Sequence, residues 1–158
     1  MNIVTQQYLD PAQQQQLMEL WNHEYPVQLA HSDASAFRSY LGTLIRLRHY
    51  LLQDDQQEIK GWAFTFTREG NRWFAIILDR SVQGKGYGSS MLTALKKHEE
   101  SLRGWVTDHT GYKKADGTLY TSPLSFYFKN NFEACPDVRL ETPALSALMI
   151  RWEKQQEI

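Results

Sequence analysis

Apolar positions along the chain change period several times, and each change marks an element. Residues 2–9 alternate weakly and read as a first strand. Asp10 then caps a helix with Pro11 in its first turn, and Leu17, Leu20, Trp21 and Tyr25 recur at helical spacing. Pro26 follows, and Ser32 or Asp33 opens a second helix marked by Phe37, Tyr40, Leu41 and Leu44. From Arg48 the runs become short and β-favouring, over 49–53, 59–68 and 72–78. Asp54-Asp55 and Glu69-Gly70-Asn71 separate them, which predicts an antiparallel meander. Met91, Leu92, Leu95, His98 and Leu102 predict an amphipathic helix stopped by Gly104, before a buried-type strand over 105–108. A strand, a glycine turn, a helix and a strand in succession form a crossover unit, which favours parallel pairing. A polar segment over 109–121 precedes a short helix from Pro123 to Asn130. The remainder, about 138–152, reads as a final hairpin with Pro143 near its turn.

The chain has 158 residues, of which 42% are apolar, which suits one domain spanning 1–158 with a substantial core. Lys plus Arg number 17 against 18 Asp plus Glu, so the excess positive charge that neutralises nucleic-acid phosphates is missing. No nucleic-acid partner is expected. Cys135 is the only cysteine, which rules out an intramolecular disulfide and points to a reducing, cytoplasmic setting. No window approaches the roughly 20 apolar residues that span a bilayer, so no membrane partner is expected either.

The strongest chemical signal is Gln83-Gly84-Lys85-Gly86-Tyr87-Gly88-Ser89, between the apolar strand ending at Leu78 and the following helix. Glycines let a backbone approach a ligand closely, and the unpaired N–H groups at a helix start attract a phosphate-like anion. The P-loop and dinucleotide patterns do not fit, the latter because Ser89 stands where a third glycine is required. Gln83, Gly86 and Gly88 do meet the Gln/Arg-x-x-Gly-x-Gly/Ala signature of the GNAT acetyltransferases. The run from Phe126 to Phe132 resembles that family's Phe-Tyr-x-Lys-x-Gly-Phe segment, with Asn131 in the glycine position. Asn is among the residues that best tolerate the left-handed cap conformation.

The resemblance implies an α/β (α+β) domain of the GNAT fold, with a mixed, mostly antiparallel twisted sheet of about six to seven strands and about four helices. The sheet would be splayed between the strands before and after the glycine-loop helix. It implies acetyl-CoA as co-substrate, an amine-bearing acceptor, direct acyl transfer without a metal, and the homodimer common in the family. Backbone N–H groups of Ile77, Leu78 and Asp79 would polarise the thioester carbonyl. Gln83, Gly84, Lys85, Gly86, Tyr87, Gly88 and Ser89 would cradle the pyrophosphate, with Lys85 and Lys129 near other phosphates. Tyr127 occupies the position of the acid that protonates the departing thiolate, its alternative reading being core packing among Phe126, Phe128 and Phe132.

A general base must take the acceptor's proton. The candidates are Asp108 first, at a strand end, then Asp79 and His109, with Glu24 behind them. The asparagine that family members often place two turns before the tyrosine is missing, and Ser122 either substitutes for it or caps the helix. The long segment 110–120 either shapes the acceptor pocket or is a solvated loop. Cys135 reads as an inert thiol, the histidines lack metal-ligand spacing, and Lys96-Lys97 read as solvated charges. Two rival readings remain at this stage, a catalytically silent acyl-CoA-binding module of the same fold and a nucleotide site in an unrelated α/β protein.

Overall fold

The structure, a computed structural model, describes residues 1–155; residues 156–158, included in the single-domain expectation, lie outside the described residues. Seven strands form one sheet in the order β1-β2-β3-β4-β5-β7-β6. They are β1 (Asn2–Gln6), β2 (Ile45–Gln53), β3 (Ile59–Arg68), β4 (Asn71–Leu78), β5 (Ser101–Val106), β6 (Glu133–Glu141) and β7 (Ser146–Glu153). Neighbours pair antiparallel except β4 and β5, which run parallel. Helices α1 (Pro11–Glu24), α2 (Ala34–Gly42), α3 (Tyr87–Lys96) and α4 (Leu124–Lys129) cover the sheet.

The first helix forms where Asp10 caps it. The Asp10 carboxylate accepts from the Gln13 N–H while the Gln13 side chain accepts from the Asp10 N–H, a reciprocal capping box with Pro11 behind it. Two apolar clusters divide the molecule by sheet face. Leu17, Trp21 and Phe37 of α1 and α2 pack on Trp62, Phe64, Phe66, Trp73 and Ile77. On the other face Met91, Leu92, Leu95 and Tyr127 of α3 and α4 pack on Leu52, Ala63, Phe74 and Ile150. The period-2 alternation of strand side chains therefore sends odd β4 positions to the α1/α2 face and even ones to the α3/α4 face.

Several element bounds differ from the sequence expectation. The first strand stops at Gln6, and the second begins at Ile45, with a register shift between Ile45 and Arg48 where Arg46 takes φ 54°. The second helix ends at Gly42, leaving Leu44 outside it. Helix α3 ends at Lys96, not near Leu102, because Leu102, Gly104 and Val106 alternate as the buried face of β5. Leu102 alone also keeps the helical spacing of Met91, Leu95 and His98. Strand β6 starts at Glu133, earlier than 138, and a register shift between Cys135 and Arg139 accommodates Pro136. Among the described residues no helix is long and apolar enough to cross a membrane.

Candidate active site

The parallel junction decides the site. Pairing between β4 and β5 is confined to Trp73 with Arg103. Phe74 holds the strands at this point, since a Cβ on Gly104 would lie 2.9 Å from its Cε1, and only glycine leaves room for the ring. Beyond it the strands part, and a cleft of about 740 Å³ opens through the sheet, lined on one face by Tyr127 and the glycine loop and on the other by Trp21, Tyr40 and Trp105.

On the β3 side, the Asp79 N–H donates to the Lys60 carbonyl at 2.8 Å. Antiparallel pairing alternates, so the Ile77 N–H also faces β3 and those of Ile76 and Leu78 face the gap. This corrects the expectation that Ile77 and Asp79 offer free backbone donors at the gap; Leu78 does, together with Ile76. The Asp79 carboxylate is occupied as well, accepting from Ser81 N at 2.9 Å and Ser81 Oγ at 2.6 Å.

The loop after β4 turns on Gly84 (φ 72°) and Gly86 (φ 89°), left-handed conformations that L side chains rarely adopt, and the space around both is open. Gly86 is the N-cap of α3 and no side chain bonds the helix start, so its first N–H groups face outward. Gly88 serves differently. A Cβ there would meet Phe126 Cζ at 2.9 Å, so this glycine lets α3 pack tightly on α4. Gln83 fastens the loop, its amide donating to Leu78 O at 2.8 Å and to Glu24 Oε2 at 3.0 Å. Of the expected cradle, Ile77, Leu78, Gln83, Gly84, Gly86, Gly88 and Ser89 line the cleft, whereas Asp79, Lys85, Tyr87 and Lys129 lie outside its wall.

Tyr127 is buried and lines the cleft, its ring edge-on to Phe74, Phe126 and Phe132. Burial, with a smaller contribution from Tyr120, holds its hydroxyl protonated well beyond the usual phenol range. Lys96, expected to be solvated, fixes the end of this helix. Its Nζ donates to Asn130 O at 2.6 Å and sits over the Phe132 and Trp152 rings, and burial lowers its pKa. Asn131 has φ 68°, the left-handed cap that the sequence requires in place of glycine. Ser122 both caps and ties: its Oγ donates to the Thr107 carbonyl and accepts from Leu124 N.

Asp108 does not line the cleft. Arg139 grips its carboxylate with two bonds of 2.9 and 3.0 Å, and those bonds hold the acid below the usual carboxylate range. His109 stands beside it at 3.2 Å, also outside the cleft. The carboxylate that does line the cleft is Glu24, 5% exposed. Lys114 Nζ meets Glu24 Oε2 at 3.1 Å, while Oε1 meets only Arg80 Nε at 3.5 Å. The segment 110–120 is a small hairpin, bridged between Lys113 and Leu119. It is anchored by Lys114 on Glu24 and by Asp116 on Arg80 at 2.6 Å, and Lys114, Leu119 and Tyr120 join the cleft wall.

No protein-family model matches the sequence, and no curated protein matches it. Solved structures do. An aminoglycoside 6'-N-acetyltransferase complexed with coenzyme A superposes with TM-score 0.74 at 15% identity, over 99% of this chain and 100% of the other. A GNAT superfamily phosphinothricin acetyltransferase from Sinorhizobium meliloti in complex with AcCoA gives TM-score 0.66 at 12% identity, over 97% and 89%. A ribosomal-protein-alanine N-acetyltransferase from Brucella melitensis gives 0.64 at 13%, over 98% and 100%. The chain has the GNAT fold, as its splayed mixed sheet and glycine loop anticipate.

Proposed function

We propose that this chain is a single-domain N-acetyltransferase that moves an acetyl group from acetyl-CoA to a primary amine. The observation that carries the reading is the cleft through the sheet, with an open glycine loop and helix start on one face and a separate chamber on the other. A binding module needs only the first; a transferase needs two substrates to meet.

The loop suits a pyrophosphate. Gly84 and Gly86 leave open space where side chains would stand, and the helix start presents N–H donors and a positive dipole end. In this reading Gly84, Gly86, Gly88 and Ser89 hold the pyrophosphate, while Lys85 and Lys129 reach outlying phosphates from outside the cleft. The N–H groups of Ile76 and Leu78 stabilise charge developing on the thioester carbonyl oxygen. Such fixed donors, together with a held nucleophile, supply the largest contributions to acyl transfer. The amine nitrogen bonds the carbonyl carbon as the carbon–sulfur bond breaks. Tyr127, kept protonated by burial, gives its proton to the departing sulfur. The amine's proton passes to Glu24, through water at Oε1, the oxygen its partners leave more open. We assign the base here and not to Asp108, whose carboxylate is engaged outside the cleft.

The test is amine-dependent release of free thiol from acetyl-CoA across a panel of primary amines. Release that requires both amine and protein supports the transferase. Acetyl-CoA binding with no release from any amine would favour a silent acyl-CoA-binding module.

A further inference from the structure

The half of the cleft on the α1/α2 face is chemically distinctive. Trp21, Tyr25, Tyr40, Phe66, Trp73 and Trp105 form its walls, with the Trp73 and Trp105 rings 5.0 Å apart. The charged residues lining the whole cleft are Glu24, Arg68 and Lys114. Glu24 and Lys114 are paired with each other beside the cradle, at the Leu78 end of β4. Arg68 is at the opposite end, in the β3–β4 hairpin, where its guanidinium carbon lies 5.0 Å from the centre of the Phe66 ring and close enough to Tyr40 to offset part of the rise that burial gives that hydroxyl's pKa. Among the described residues Arg68 forms no ion pair, so an exposed, unpaired cation stands at the rim of this end of the chamber.

Resting on the transferase reading, we infer that the acceptor is an apolar, aromatic-bodied primary amine carrying an anionic group, a carboxylate or phosphate, held by Arg68. The spacing follows from the register. Phe66, over which Arg68 folds, faces Trp73, whereas the donors at the gap belong to Ile76 and Leu78. Three to five strand residues separate them, roughly 10–16 Å at about 3.3 Å per residue. The amine and the anion therefore stand at least about 10 Å apart. That is too far for an α-amino acid and suits an extended apolar tripeptide with a free carboxylate. A polycationic amine meets the opposite chemistry, since the sole carboxylate in the wall already has cationic partners.

The experiment measures acceptor binding directly, by quenching of tryptophan fluorescence in the full chain without acetyl-CoA. The probes are triphenylalanine, its C-terminal amide, and the aminoglycoside ribostamycin. Triphenylalanine is expected to bind about tenfold more tightly than its amide, the size of one charge-assisted contact. Arg68→Gln should abolish that difference and Arg68→Lys should retain most of it. Equal affinities for acid and amide, tighter binding of ribostamycin, or no binding of any probe would each overturn the inference. Acetyl-CoA affinity, titrated separately, bears on the transferase reading alone, so the two failures are distinguishable.

Discussion

Gln83 and Glu24 share a hydrogen bond of 3.0 Å between the loop after β4 and the last turn of α1. That contact joins the two halves of the cleft. The residue that fastens the glycine loop is bonded to the carboxylate that borders the α1/α2-face half, and Lys114 brings the 110–120 hairpin to the same carboxylate.

Removing the Glu24 charge tests its assignment. Glu24→Gln should lower turnover by about 10²-fold at neutral pH, the usual range for a lost general base. The sign of the pH effect discriminates. Without a base, the reaction depends on amine already deprotonated, so the deficit should be largest at low pH and shrink toward the amine's own pKa. A deficit equal at every pH would make Glu24 a positioning residue only. Asp108→Asn should leave turnover within about twofold, because its ion pair with Arg139 lies outside the cleft.

Tyr127→Phe should lower turnover by about 10- to 100-fold while the affinity for acetyl-CoA is unchanged. Among the described residues its hydroxyl makes no hydrogen bond, so thermal stability should also hold. Unchanged turnover would assign Tyr127 to core packing with its phenylalanine neighbours.

Gly88→Ala probes the close approach of α3 and α4. The added Cβ would lie 2.9 Å from Phe126 Cζ, so the ring must move, at about 1–3 kcal/mol. Melting temperature and acetyl-CoA affinity should fall together. Retention of both would mean that Phe126 rotates away freely.

His49 predicts how stability depends on pH. It is buried, accepts a hydrogen bond from Trp62 Nε1 at 3.0 Å, and burial lowers its pKa to about 4. The unfolded chain binds this proton below about 6.5 and the folded chain only near 4. The neutral form's stabilisation is therefore full above pH 6.5 and is lost as pH falls toward 4, amounting to about 3 kcal/mol. Denaturant unfolding across that range should show the decline. His49→Gln should flatten it, and an unchanged slope in that variant would exclude His49 as its source.

The glycine turn was legible because its geometry is local: consecutive residues set it, and Gly84 and Gly86 have the positive φ that their type anticipates. The burial of Tyr127 was legible through the phenylalanines around it. The setting of Asp108 was not, because it gains its partner from Arg139, on a strand 31 residues away, and no local pattern encodes that pairing. Nor was the α1/α2-face half of the cleft, whose residues come from α1, α2, the β3–β4 hairpin and β5, and meet only in the folded sheet. The helix end near Leu102 failed for a simpler reason, since Leu102 keeps the helical spacing of Met91, Leu95 and His98 and also begins the strand alternation of Leu102, Gly104 and Val106.

Calorimetric titration decides whether the glycine loop holds acetyl-CoA. Acetyl-CoA should bind the wild-type chain in preference to ATP and NAD. Gly86→Glu should eliminate that binding, because the substitution forces a side chain onto φ 89° and sets a negative charge at the start of α3. No acetyl-CoA binding by the wild type, or equal binding by Gly86→Glu, would rule out the loop as its site.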